Sequence, residues 1–382
     1  MFCTKLIRGK AALFLCLLTI FTSLISQQVD AARGVPGSSD FGFGASAYLE
    51  GPYLNEAIYL ATNLELDWLA IDIPWVDYMP QSDSQIHFRL LDEVMFTARE
   101  NSLPVLVRLT RPPKWAISPQ GPEIPATIRF ISELCSRYPG TLQAIELFPG
   151  ANTRSGWGTA PNAAGYSALF RNVHVSLKNP KKPVHLIAGG LIPVISAVQG
   201  ESINDIIFLN DLYKNGAKDF MPIISLQLDD VTGSPLSAPS ISEPRTLRHY
   251  EEVRQVMVAN QHQEGLIWIT RLSAPSGKIN AADQQWQLAE QQADWLLQAY
   301  LQMRSQLYIG VVVLDSLNPA ASRDTGAYQR AMIQYNSGLH PFYNKFRAVI
   351  AANSLANKTH KPIGKPKDGA LSKQRPSQAG KP

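Results

Sequence analysis

Three aspartates, Asp229, Asp230 and Asp315, stand just past the apolar runs at 222–228 and 308–314. Two carboxyls held side by side can divide the work of catalysis, one as acid and the other as base or nucleophile. The same residues can equally bond loop backbone, or the guanidinium of Arg271, which follows the run at 265–270. Trp75, Asp77, Tyr78, Trp115, Phe148, Asn152, Trp157 and Gln227 occupy comparable places after other runs. Aromatic faces with Asp, Asn and Gln between them suit a sugar ring, which offers C–H faces and hydroxyl edges. They can also simply seal a fold. Other chemistries have little support. The seven histidines are scattered without metal-ligand spacing, so no metal site is expected. There is no Gly-x-Ser-x-Gly elbow and no phosphate-binding glycine loop, and no cofactor is expected. Cys135 sits in the amphipathic pattern Thr127–Tyr138 and reads as an inert buried thiol.

Such residues need elements to position them. Apolar runs rich in Val, Ile and Leu recur at 42–48, 67–73, 104–110, 142–148, 184–188, 222–228, 265–270 and 308–314. Helical patterns fall between most of them, among them Ile86–Glu100, Ala163–Lys178, Arg245–Asn260 and Ala281–Ser305. Strand, helix and strand in repeats of about forty residues make the βαβ unit, whose parallel strands are buried on both faces. Eight units predict an α/β protein, a single (β/α)8 TIM barrel, in preference to an open doubly wound sheet. In a barrel, function sits at the C-terminal strand ends, where the residues above fall. The Ser/Pro-rich stretch Gly233–Pro244 reads as a long rim loop.

Composition bounds the rest. The chain has 382 residues, is 45% hydrophobic and 17% charged, and carries a net charge of +4. That charge sits at the ends, since residues 1–31 and 354–382 are basic and the body between them is acidic. An acidic body argues against nucleic acid as a partner. Lys5, Arg8 and Lys10 precede the apolar run Ala11–Ile25, and Val29-Asp30-Ala31 offers small residues for a signal peptidase. The expected organisation is a signal peptide at 1–31, a linker at 32–40, the barrel at 41–353 and a basic disordered tail at 354–382. Secretion follows from the signal, with a membrane anchor as the alternative if it stays uncut. The tail could contact an anionic surface, or be a solvated spacer.

Across residues 40–350 the sequence resembles the retaining glycoside hydrolases on eight-stranded barrels, closest to the xylosidase/iduronidase-like branch (family thirty-nine-like). Phe41-Gly42-Phe43-Gly44 is similar to the family's opening strand. Trp68 through Trp75 is similar to its second strand, and Pro112-Pro113-Lys114-Trp115-Ala116 to its Pro-x-Trp-Ala turn. Tyr166 with Leu169, Ala188-Gly189-Gly190-Leu191 and Glu290-Gln291-Gln292-Ala293-Asp294 continue the likeness in order. The resemblance implies a carbohydrate as partner, an acid/base Glu after the fourth strand and a nucleophilic Glu after the seventh.

The departures fall on the chemistry. Glu146-Leu147-Phe148-Pro149-Gly150-Ala151-Asn152 stands where the family has Glu-Ile-Trp-Asn-Glu-Pro-Asn, which puts Gly150 at the acid/base position. Trp268-Ile269-Thr270-Arg271 stands for Trp-Ile-Thr-Glu, which puts Arg271 at the nucleophile position. Retention needs two carboxyls about 5–5.5 Å apart, and neither residue supplies one. Glu146 shares the inward face with Gly150 but lies about 13 Å deeper; a structural pairing with Arg108 is expected. The leading expectation is a hydrolytically inactive barrel, a pseudoenzyme, that keeps a sugar-facing cleft built from Trp75, Asp77, Trp115, Phe148, Asn152, Trp157, Gln227, Arg271 and Asp315. Arg271 would favour an anionic ligand. The alternatives are a divergent glycosidase using Asp229, Asp230 or Asp315, and a purely structural role.

Overall fold

The structure, a computed structural model, describes residues 33–38, 40–177, 183–229, 231–239, 243–275, 282–321, 330–334 and 338–359. The expected signal peptide, most of the basic tail and Asp230 lie outside the described residues. Eight parallel strands close into one barrel: β1 (Gly42–Ala47), β2 (Trp68–Pro74), β3 (Val105–Thr110), β4 (Leu142–Leu147), β5 (His185–Leu191), β6 (Ile223–Leu228), β7 (Leu266–Leu272) and β8 (Ile309–Leu314). Each strand pairs with its chain neighbours, and β8 closes on β1. Every strand begins within one residue of its expected start. Buried parallel strands must be apolar on both faces, and that unbroken apolar run is what the sequence displays.

Helices follow the strands and cover the barrel. Leu91, Val94, Met95 and Ala98 form the buried stripe of the helix Arg89–Glu100. Phe130, Ile131 and Leu134 do the same for Ile124–Arg137, at the 3.6-residue period. The last helix runs Phe342–Thr359, so the barrel's helical cover passes the expected boundary at 353.

The segment expected to be a linker is instead the barrel floor. Trp68 and Trp268 meet edge to face inside the barrel with ring centroids 5.0 Å apart. Their indole N–H groups donate to the carbonyls of Arg33 and Gly34, at 2.9 and 2.8 Å. Buried indoles need such acceptors, and the turn below them supplies two. Gly34 has φ +74°, and a Cβ there would lie 2.3 Å from the Gly310 carbonyl oxygen. Only glycine fits that close approach.

Candidate functional site

Strand alternation gives the barrel interior its layers. At the floor, Trp68, Ala70, Leu106, Ala144, Ile187, Ile223, Trp268, Val311 and Val313 form a dry cluster. Above it lies a polar layer. Asp72 of β2 stands beside Arg108 of β3 in register, and Arg108 beside Glu146 of β4. Arg108 is 1% exposed; its Nε donates to Asp72 Oδ1 at 2.6 Å and a terminal nitrogen donates to the Thr270 carbonyl at 2.6 Å. Arg108 thus takes Asp72 as its ion partner, and the expected pairing with Glu146 is not what the side chain adopts. The Glu146 Oε1 atom accepts from the hydroxyls of Ser225 (2.7 Å) and Thr270 (2.8 Å), and Oε2 has no hydrogen-bond partner among the described residues. Burial pushes the Glu146 carboxyl above the ordinary carboxylate range, against the opposing pull of Ser225, Arg108 and Thr270.

Two irregularities aim the next residues inward. Between β6 and β7 the register slips by one: Leu226 pairs with Ile269, but Gln227 pairs with Arg271. The extra residue lets both Thr270 and Arg271 reach the interior, as a bulge does. Between β5 and β6 another slip falls at Gly189 and Gly190, both with positive φ. A Cβ on Gly190 would lie 2.4 Å from Pro149 Cα and 2.8 Å from Glu146 Oε1.

Arg271 therefore crosses the mouth. It donates to Asp72 Oδ2 at 2.7 Å and to Asp315 Oδ2 at 3.4 Å. Asp315 is 3% exposed and also accepts from Ser46 Oγ (2.7 Å) and the Tyr48 hydroxyl (3.2 Å). Burial works against the charge on Arg271, but Asp315 and Asp72 outweigh it and the guanidinium stays protonated. Burial likewise disfavours ionised Asp72, yet Arg108 and Arg271 hold its carboxyl below the usual range. The layer is a self-neutralised network. Both carboxylates touching Arg271 spend their charge on it, which removes the basis for an anionic ligand there.

Other expected site residues fall into three places. Trp75, Phe148, Trp157 and Asn152 are buried at 1% exposure or less, so none offers a face to a ligand. Trp75 stacks on Phe130, with centroids 5.3 Å apart, because the chain turns outward into the short helix Trp75–Tyr78 directly after β2. Phe148, at φ +50°, turns toward Trp157, which in turn packs on Tyr166. The Asn152 amide donates to the carbonyls of Ile192 and Ile203 and its Oδ1 accepts from Ile192 N–H, clamping one loop. Trp115 is half-buried, with its Nε1 on the Met79 carbonyl and Arg129 5.9 Å from its ring. Gly150, at φ +78°, bonds its N–H to the Gly190 carbonyl.

Two clefts open at the mouth. One, of ≈ 350 Å³, is lined by Ile192–Ser196 together with Gln227, Asp229 and Arg245. Burial pushes the Asp229 carboxyl up, with Asp315 adding to this and Arg271 opposing it. No hydrogen bond joins Asp229 to Asp315 among the described residues. The other cleft, of ≈ 270 Å³, contains Tyr48, Glu50, Asp72, Asp77, Tyr78 and Arg111. Sequence reasoning missed Asp72, Tyr48, Ser46, Ser225 and Glu50. The available signal was parity, since Trp68, Ala70 and Asp72 alternate onto one face of β2.

No family model and no curated protein matches the sequence. Solved structures match its shape. Native xylanase 10B from Thermotoga maritima is 12% identical, with a TM-score of 0.58 over 85% of this chain and 99% of that one. The GH39 enzyme from Xanthomonas axonopodis pv. citri is 13% identical, at 0.57 over 84% and 68%. Xylanase 10B from Thermotoga petrophila RKU-1, in complex with xylobiose, is 14% identical, at 0.57 over 82% and 95%. This chain has the glycoside-hydrolase-like (β/α)8 barrel fold.

Proposed function

We propose that the protein is an exported barrel that binds a carbohydrate at its C-terminal mouth and does not cut it. The observation that carries this is Arg271. The residue standing at the nucleophile position is a protonated guanidinium tied to Asp72 and Asp315. It cannot attack an anomeric carbon, and it opposes the positive charge that develops on the sugar in the transition state. The acid/base position holds Gly150, which has no proton to give. The ≈ 270 Å³ cleft beside this network offers hydroxyl, carboxylate and guanidinium groups for sugar hydroxyls. One structural neighbour of the same fold carries xylobiose. Binding is read by incubating the protein with a broad glycan panel, washing, and identifying retained species by mass spectrometry. Retention that is lost when cleft residue Arg111 is changed to Ala supports the reading. No retained glycan would favour a scaffold role instead.

A divergent glycosidase is the second reading, and Asp229 favours it. Its half-buried carboxyl, raised in pKa and lining a cleft, is what a general acid requires. Turnover lost in Asp229→Asn or Asp315→Asn variants that still fold would support it. Export is tested by N-terminal sequencing of the protein from the medium, with cleavage after Ala31 expected.

A further inference from the structure

The ≈ 270 Å³ cleft is acidic in a specific way. Its lining carries three carboxylates, Glu50, Asp72 and Asp77, against one guanidinium, Arg111. Arg111 is already engaged, donating to Asp77 Oδ2 at 3.0 Å. Asp72 is matched by Arg108 and Arg271 behind the wall, but Arg271 also serves Asp315, so Glu50, Asp72, Asp77 and Asp315 against Arg108, Arg111 and Arg271 leave one net negative charge among these described residues. Glu50 is exposed and makes no ion pair among the described residues.

An independent feature lies at the same place. Tyr78 is 7% exposed and lines this cleft, and its hydroxyl has no hydrogen-bond partner among the described residues. Burial raises its phenol to about 12, and Glu50 and Asp77 push the same way, so both carboxylates act on this one hydroxyl. The hydroxyl is not sealed off but opens to the cleft, where a ligand can supply its acceptor. A ligand that answers all of these groups carries a cation for Glu50, hydroxyl oxygens for Tyr78 and a C–H or cationic face for the rings of Tyr48 and Tyr78. A uronic acid would meet like charge. A neutral sugar would desolvate Glu50 without giving it a partner.

We infer that this cleft takes a glycan carrying free primary ammonium groups, an amino sugar that is not N-acylated; the inference rests on the carbohydrate-binding reading above. Its volume accommodates roughly one sugar ring, so the contact is with a single residue of a longer chain. The shared chemistry, a primary ammonium, is also offered by lysine side chains, and the test separates the two.

The full-length protein is titrated calorimetrically with a β1,4-linked glucosamine tetramer, its fully N-acetylated counterpart and oligolysine. The expected result is at least about tenfold tighter binding of the free amine tetramer than of either other probe, weakening with salt. Glu50→Gln should reduce that binding about fivefold, and Tyr78→Phe should reduce it while sparing the salt dependence. Equal binding of the two tetramers, oligolysine binding as tight as glucosamine, or a silent Glu50→Gln change would each overturn the inference. If a neutral glycan is retained and Glu50→Gln leaves it bound, only the ammonium assignment fails. If no glycan of any class is retained, the carbohydrate-binding reading fails with it.

Discussion

Arg271 holds two carboxylates that would otherwise face each other across the mouth. Replacing it with Met keeps the bulk and deletes the charge. Asp315, 3% exposed, would then keep only the Ser46 and Tyr48 hydroxyls. Arg271→Met should cost about 3 kcal/mol in urea denaturation, the scale for breaking a buried pair from one side. Glu146 makes the opposite case, because its carboxyl is raised in the folded state. A group with a raised folded pKa contributes stability that is present below its unfolded pKa and lost as pH rises through the folded one. Wild-type stability should therefore fall relative to Glu146→Gln as pH rises above 4.5 toward the raised folded value, as read from melting temperatures of both proteins. A parallel trend would contradict the buried, protonated carboxyl. The absence of a carboxyl at Gly150 and Arg271, on which the proposed reading rests, is legible in the sequence because those residue types lack the group wherever they point. It does not display the burial of Trp75, Phe148 and Trp157. Alternation predicts facing only within a strand, and these residues lie just past strand ends, where the chain turns.

Elements are held by contacts that leave no periodic trace. The floor segment at 33–38 bonds two indoles through backbone carbonyls, which any residue possesses, so it reads as linker in the sequence. Gly34→Ala places a Cβ 2.3 Å from Gly310 O, at a φ that L residues rarely adopt. It should destabilise by about 2 kcal/mol or more and red-shift tryptophan emission as the floor loosens. On the outer wall, buried His249 links the helices Asp205–Lys214 and Tyr250–Ala259, with its Nε2 2.5 Å from Asp205 Oδ2 and its Nδ1 2.8 Å from Glu252 Oε2. Burial works against its charge, but Asp205 and Glu252 outweigh it and lift its pKa above the ordinary histidine value. This contribution is full below about pH 6.5 and is lost as pH rises through the folded value. Asp205→Asn should cost more stability at pH 6 than at pH 9, measured by urea denaturation at both. The strand starts were legible to within a residue, because burial on both faces forces continuous apolar runs. The slips at Gly189–Gly190 and Thr270–Arg271 were not, since an inserted residue leaves apolar content unchanged.

At the scale of the molecule, eight βαβ repeats dictate closure, and closure dictates that the strand ends converge on one mouth. The fold was therefore legible from spacing alone. The character of the mouth depends on charges from β2, β3, β7 and the end of β8, with a hydroxyl from β1, meeting in one layer that no local window of sequence contains. On the proposed reading this layer, with Asp72, Arg108, Arg271 and Asp315 neutralising one another, leaves a site that can hold a glycan but not cleave it. The most direct measurement is the mass of a retained glycan, recovered from the full-length protein after prolonged incubation. An unchanged mass is expected. Shortened products that accumulate with wild-type protein and vanish in Asp315→Asn or Asp229→Asn would contradict it.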